Sequence, residues 1–315
     1  MAVQAVIKTQ HLTRLFGEKT AVDDLTIEVW PGEVFGCLGH NGAGKTTTIR
    51  LLNGVLVPTS GEVKVLGLSP QENGAALRKR TGVLTETPSL DERLNAVDNL
   101  TIYADLYGVP ETEVKGRVEE LLNFFDLSAY GQQKVGGYSK GMKQRLALSR
   151  ALIHSPEILF LDEPTSGLDP VSSRSVHDLI RHLSRKEGRA VFLCTHNLPE
   201  AQSLCDRVAV LEHGRILAIG TPAELGRQVV QTRRLEIEVD ETSVKAATEI
   251  LERFTQGSVQ KENGVISVVG VDHGAIPELV SAMVGKGIRI YRVDPLEPSL
   301  EDVYFALHNQ EGPKE

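Results

Sequence analysis

The chain has 315 residues and a mass of 34.4 kDa, long for one hydrophobic core and comfortable for two. A composition of 41% hydrophobic and 24% charged residues is that of a folded soluble protein rather than a disordered one, and a net charge of −8 argues against a nucleic-acid surface. No apolar run approaches the roughly 18 residues of a membrane-spanning helix, the N-terminus lacks a secretory pattern, and three cysteines without CxxC spacing (Cys37, Cys194, Cys205) read as buried thiols, not disulfides or zinc ligands.

In chain order, "AVDDLTIEVW" (21–30) alternates apolar and polar residues, which predicts a half-exposed antiparallel strand, and "GEVKVLG" (61–67) predicts another. "EVFGCLG" (33–39), "EILFLDEP" (157–164) and "AVFLCTH" (190–196) are short continuous apolar runs that end in glycine or polar residues, as buried parallel strands do. Between the first two lies a region, about 90–155, with apolar residues at spacings of three and four in "NAVDNLTIYADLYG" and "EVKGRVEELLNFFDL". It reads as a helical insertion into a parallel-sheet α/β core. After "AIGTPAEL" the texture changes. Residues 223–229 read as a linker. From 230 to 310, "RRLEIEVD", "SVKAATEILERF", "GVISVVGV", "AIPELVSAMVGKG" and "IRIYRVDP" suggest a small α+β unit of β-α-β-β-α-β-like, ferredoxin-like order. The final "EGPKE" reads as a frayed tail.

"GHNGAGKT" (39–46) fits the pattern G-x-x-x-x-G-K-[ST] with Gly39, Gly44, Lys45 and Thr46. Glycines let backbone N–H groups turn inward around phosphate oxygens, and a following helix adds the positive end of its dipole. The expected cradle runs through His40, Asn41, Gly42 and Ala43 to Thr47, with Lys45 on the β- and γ-phosphates and the Thr46 hydroxyl on Mg²⁺. In "LFLDEPTSGLD", an apolar strand ending in Asp162 places a carboxylate beside the metal shell, and Glu163 is suited to accept a proton from an attacking water. His196, ending a third strand, is a candidate γ-phosphate contact, although a histidine at a strand end is also an ordinary structural residue. These signals are shared by kinases, GTPases, helicases, motors and transport ATPases.

"YSKGMKQRLALSRAL" (138–152) separates these. It resembles the signature of the ATP-binding cassette (ABC) ATPases, usually L-S-G-G-Q followed by a basic, apolar helix. "RLFGEKTAVDDL", the phosphate loop, "LDEPTSGLDP" and "CTHNLPEAQSLCDRVAVLEHGRI" support the same family over residues 5 to about 222. The resemblance implies a P-loop NTPase parallel-sheet core with an antiparallel β subdomain and a helical subdomain, spanning 1–222. It further implies a head-to-tail dimer, with self or a related ATPase, that sandwiches two ATP molecules with Mg²⁺. Ser139, Lys140, Gly141 and Met142 would then meet the partner's nucleotide in trans, Asp169 would cross the interface, and Phe16 matches the ring that stacks on adenine. Its alternative is a core phenylalanine after a strand.

Two positions depart from the family pattern: Lys140 and Met142 replace a glycine and a glutamine of the signature, and Glu86 stands where a glutamine contacts Mg²⁺. Glu86 still offers oxygen to a hard cation, or else points to solvent. The C-terminal unit, ending "EPSLEDVYFAL", resembles a domain appended to ATPases of bacterial drug, antibiotic and sodium exporters. The implied function is that of an ATP-hydrolysing subunit, cytoplasmic and peripheral on the inner face of the membrane, that drives export through a separate multispanning permease. The alternative is a soluble ABC ATPase acting on nucleic acid or ribosomes; a single phosphate loop, no sustained heptads and an acidic charge stand against it.

Overall fold

Three phenylalanines set the register of the central sheet. In the computed structural model, which describes residues 4–87, 89–229, 234–255, 257–262 and 264–310, they lie side by side on neighbouring parallel strands. The chain reaches them through an antiparallel layer, in which β1 (Ile7–Phe16) pairs with β2 (Lys19–Leu25) and β3 (Glu28–Val29). Next comes β4 (Val34–Leu38), buried at every residue, and then α1 (Lys45–Leu52). β5 (Ser60–Val65) returns to β1, also antiparallel. The alternating runs are thus half-exposed strands of one layer, while the continuous run is a strand of another.

The chain continues through α2 (Gly74–Arg78) to β6 (Thr81–Leu84), a strand not singled out in the sequence. The helical insertion follows: α3 (Ala96–Tyr107), α4 (Glu111–Phe124) and α5 (Lys140–Leu152). Its periodicity has a direct cause. Ala96, Leu100 and Ala104 recur every four residues and are fully buried, the Asn95 side chain accepts from the Asp98 N–H at the start, and Gly108 at φ 74° ends the helix. Then come β7 (Ile158–Asp162), α6 (Pro170–Arg185), β8 (Ala190–Thr195), α7 (Leu198–Leu204), β9 (Arg207–Glu212) and β10 (Arg215–Gly220). The six-stranded sheet runs β10-β9-β4-β8-β7-β6, parallel throughout except for the β9–β10 pair.

Phe35 on β4 pairs with Phe192 on β8, and Phe192 pairs with Phe160 on β7. All three are fully buried, with ring centroids 5.7 and 6.0 Å apart. Cys37, Cys194 and Cys205 are buried free thiols, the first two packed in the same core.

The residues divide into two compact units, Met1–Thr221 and Pro222–Glu315. Residues 223–229, expected as a linker, instead belong to a helix, α8 (Pro222–Val229). Proline at its first position, Glu224 in the first turn and Arg227 in the last are ordinary helix signals, and Leu225 and Gly226 are buried within the second unit. That unit continues with β11 (Arg234–Val239), α9 (Val244–Phe254), β12 (Val259–Glu262), β13 (Val265–Val269), α10 (Ile276–Gly285), β14 (Ile290–Leu296) and α11 (Leu300–Gln310). The sheet order is β12-β13-β11-β14, antiparallel at every pairing. Leu235, Ile237 and Val239 face Leu251 and Met283 in a core of their own. The tail reading of 311–315 lies outside the described residues.

One half-buried base joins the helical insertion to the sheet. His154 stacks on Tyr107 with centroids 4.0 Å apart, and its Nε2 lies 3.1 Å from the Thr81 carbonyl, so that nitrogen carries the proton. Nδ1 is buried with no hydrogen bond. Burial holds the imidazole below the ordinary histidine value of 6.5; the Thr81 bond opposes this, and Arg189 and Arg117 add to it. The unfolded chain therefore binds the extra proton first, and stability falls as pH drops from about 6.5 through the folded value. The fall in urea midpoint between about pH 7.5 and 5.5 is expected to be smaller in His154→Phe than in the parent chain. An equal fall in both would clear His154 of this role.

Candidate functional site

The sheet register places the ends of β4, β7 and β8 along one edge: Leu38 pairs with Thr195, and Asp162 with Cys194. The next residues on each strand are Gly39, Glu163 and His196. Ligands of open parallel sheets bind outside such carboxyl ends.

After β4 the loop turns tightly into α1. Gly42 and Gly44 have φ of 91° and 110°, and a Cβ on Gly44 would stand 2.5 Å from the Ala21 carbonyl oxygen. One on Gly39 would stand 2.5 Å from the Leu211 oxygen. Gly44 is therefore required by conformation and by space at once, Gly42 by conformation alone and Gly39 by space alone. Lys45 is 6% exposed, with its ammonium donating to the Gly39 carbonyl at 2.6 Å. The Thr46 hydroxyl donates to Asp162 Oδ2 at 2.6 Å and so ties the start of α1 to the end of β7. Burial raises the Asp162 carboxyl above its ordinary range; the Thr46 bond works against this, and the charges of Glu163 and Glu86 work with it.

Glu163 is buried and has φ 51°, a left-handed conformation rare outside glycine. Its N–H donates to the Cys194 carbonyl at 2.9 Å, which anchors the strained residue to β8. His196 Nδ1 lies 2.8 Å and Lys45 Nζ 3.4 Å from Glu163 Oε1, yet neither is aligned to donate, and that oxygen is buried without a hydrogen bond. Such an atom is costly unless a ligand or water satisfies it.

These groups border a cleft of about 450 Å³ lined by Phe16, Lys19, Ala21, His40 to Gly42, Gly44 to Thr47, Glu86, Asp162 and Glu163; Gly39 and the buried Ala43, both expected in the cradle, do not line it. Phe16 is 45% exposed, and the Arg14 guanidinium lies 4.6 Å from its ring centre, covering one face. Lys19, in the quoted "RLFGEKTAVDDL", adds a second cation that sequence reasoning did not single out. His196 does not line the cleft; it stands beside it, on Glu163.

Ser139 caps α5, its Oγ accepting from the Met142 N–H at 3.2 Å, and Asp169 caps α6, accepting from the N–H groups of Val171 and Ser172. The Lys140 side chain lies over Gly167, where any Cβ would collide with it. The segments 139–142 and 167–172 are thus neighbours, and none of Ser139, Lys140, Gly141, Met142 and Asp169 lines the cleft around Lys45. Among the described residues no group of three or more His, Cys, Asp or Glu is arranged to hold a metal.

Residues 22–166 match the family described as ABC transporter. The bacitracin transport ATP-binding protein BcrA of Bacillus licheniformis is 34% identical, over 97% of this chain and 98% of its own. A daunorubicin resistance ATP-binding protein of Streptomyces coeruleorubidus is 37% identical, over 93% and 92%. Among solved structures, a dimeric ATP-binding cassette in a post-hydrolysis state bound to ADP and Pi superimposes with a TM-score of 0.62 at 25% identity, covering 68% of this chain and 98% of that one.

The loop geometry sets a pair of opposite outcomes for one chemical change. Gly44→Ala adds a methyl against a carbonyl at a φ that disfavours it, and is expected to destabilise the chain by about 1–3 kcal/mol or more. Gly116→Ala adds the same methyl to α4, where nothing lies within 4 Å, and is expected to stabilise by about 0.5–1 kcal/mol. Urea denaturation of both variants measures the pair; equal shifts would show that the loop relaxes freely.

Proposed function

Because this chain belongs to the ABC transporter ATPase family, we propose that it works as the ATP-hydrolysing half of a bacterial exporter, with the cleft at the carboxyl ends of β4 and β7 as its nucleotide site. ATP binding and hydrolysis are the common property of the family. The residue roles rest on this molecule's own geometry. The backbone of residues 39–47 and the Lys45 ammonium take the phosphates, and the free face of Phe16 takes the adenine.

The donor set suits Mg²⁺. Thr46 and Asp162 already meet at 2.6 Å, and a buried carboxylate flanked by the charges of Glu163 and Glu86 gains from a nearby cation. Mg²⁺ characteristically uses one or two carboxylates together with substrate phosphates instead of an all-protein cage, which agrees with the small set present. Thr46 and Asp162 would hold it, with Glu86 as a further oxygen, and when bound it neutralises phosphate charge. Glu163, with one buried oxygen lacking a hydrogen bond, accepts the proton of the attacking water; His196, now 2.8 Å from that carboxylate and outside the cleft lining, would have to turn from it to contact the γ-phosphate.

The observation that carries the dimer is the separation of the signature from its own cleft. Ser139 and Gly141 head a helix that does not border the cleft around Lys45, so they complete the site of a second copy or a related ATPase, with Lys140 and Met142 beside them and Asp169 adjacent across the contact. Among the described residues no helix is long and apolar enough to cross a membrane, so a separate permease supplies the pathway and holds the subunit at the inner face. The alignments to antibiotic- and drug-related ATP-binding proteins include the second unit. Its sheet order and antiparallel pairing support a ferredoxin-like accessory domain. Nothing in these relatives favours the ribosomal or nucleic-acid alternative.

Two measurements test the reading. Glu163→Gln is expected to bind ATP normally while single-turnover hydrolysis slows by roughly 10²–10⁴-fold. A rate within a few-fold of the parent chain would remove Glu163 as the base. Mixing Lys45→Ala with Ser139→Arg chains is expected to restore one high-affinity ATP site per mixed dimer, read with labelled nucleotide. Equal loss in mixed and unmixed samples would mean that each site is built within one chain.

A further inference from the structure

A set of buried side chains behind Glu163 has no part in the roles above. Glu200, on α7, is 3% exposed and accepts from three side chains. Thr165 Oγ1 and His177 Nε2 approach its Oε1 at 2.7 and 3.0 Å, and Thr195 Oγ1 approaches its Oε2 at 2.8 Å. These partners come from the turn after β7, from α6 and from the end of β8. One carboxylate therefore ties together three segments that surround Glu163.

Thr195 is the link. It is fully buried, and its Oγ1 lies 3.3 Å from Glu163 Oε2. The hydroxyl also accepts from the Asn197 N–H at 3.0 Å, and the Asn197 side chain accepts from the Glu200 N–H at 3.1 Å. A hydroxyl has one hydrogen to give. The two carboxylates compete for that hydrogen, and Glu200 is the nearer, so Glu200 fixes the rotation of Thr195 and with it the polar contact that Thr195 offers to Glu163 Oε2. On the far side, Gln144 of α5 donates to the Pro164 carbonyl at 2.8 Å, one residue beyond Glu163. Glu163 sits at a left-handed φ, which persists only where surroundings over-determine it.

We propose that Glu200, acting through Thr195, is the positioning residue that holds the Glu163 carboxylate in its working direction at the edge of the nucleotide cleft. The inference rests on the reading of Glu163 as the base. It is specific to the chemical step: neither Glu200 nor Thr195 lines the cleft, so their loss misdirects a carboxylate without removing a nucleotide contact. Displacing a reacting group by about 1 Å is enough to cost on the order of 10²-fold in rate.

The test uses the purified full chain and Mg-ATP. Glu200→Gln and Thr195→Val are each expected to lower kcat by about 10- to 100-fold with KM for ATP within about threefold of the parent. Thr195→Ser keeps the hydroxyl and is expected to recover most of the loss seen with valine. In a Glu163→Gln background, Thr195→Val is expected to slow single-turnover hydrolysis no further, because residues that act through one group are not additive. If Glu200→Gln does not fold, the valine and serine variants at Thr195 decide the matter alone. An unchanged kcat in Glu200→Gln and Thr195→Val, beside an inactive Glu163→Gln, overturns this inference and leaves Glu163 as the base. Losses that multiply in the double variant also overturn it. Normal turnover in Glu163→Gln removes the base reading, and this inference with it.

Discussion

The pairing of Phe35, Phe192 and Phe160 across β4, β8 and β7 is the constraint on which the site depends. Parallel strands buried on both faces have no polar alternation to hold their register, so bulky side chains must do it. With three rings in adjacent rows, a slip of one residue on any strand would turn an aromatic ring to the opposite face and leave a void. The same register brings Gly39, Glu163 and His196 to one edge. The phosphate loop and the acidic pair come from distant parts of the sequence, and they meet because the core admits one alignment.

The chemistry at that edge is concentrated by burial. Lys45, Asp162 and Glu163 are each less than 10% exposed, and all carry formal charge. Charges of this kind persist in a protein only when paired or poised for a ligand. Here the pairing is incomplete: one ammonium stands among two carboxylates, with Glu86 near as a third, and one Glu163 oxygen has no hydrogen bond. The left-handed φ of Glu163 adds backbone strain at the same residue. Stability is spent here on holding groups in readiness, and the buried Thr195 and Glu200 behind them supply the rigidity.

The signature helix shows a second kind of constraint. A lysine in the first turn of a helix opposes the helix dipole, and Lys140 is placed there. Its side chain turns away across Gly167, a residue with φ 68° and no side chain to obstruct it. The departure from a glycine-rich signature is thus accommodated by a long side chain that lies over the neighbouring turn. Ser139 keeps its capping role regardless, so the N-terminus of α5 remains formed.

What the sequence determined by itself is what lies within a few contiguous residues. The loop 39–46 is legible because its glycines, lysine and threonine answer to one local geometry. β4, β7 and β8 are legible because burial on both faces leaves an unbroken apolar run. The helix α11 is equally written locally, in the reciprocal bonds between Ser299 and Asp302 at its start. The helix α8 was hidden by the expectation of a linker between units. Other features were beyond local reading. That Ser139 lies away from its own chain's cleft, that Lys140 rests on Gly167, and that Glu200 joins Thr165, His177 and Thr195 are facts about residues far apart in the chain. Composition and periodicity record which face of an element is apolar, but hydrogen bonds between distant side chains depend on how those elements pack, and only the tertiary structure decides that.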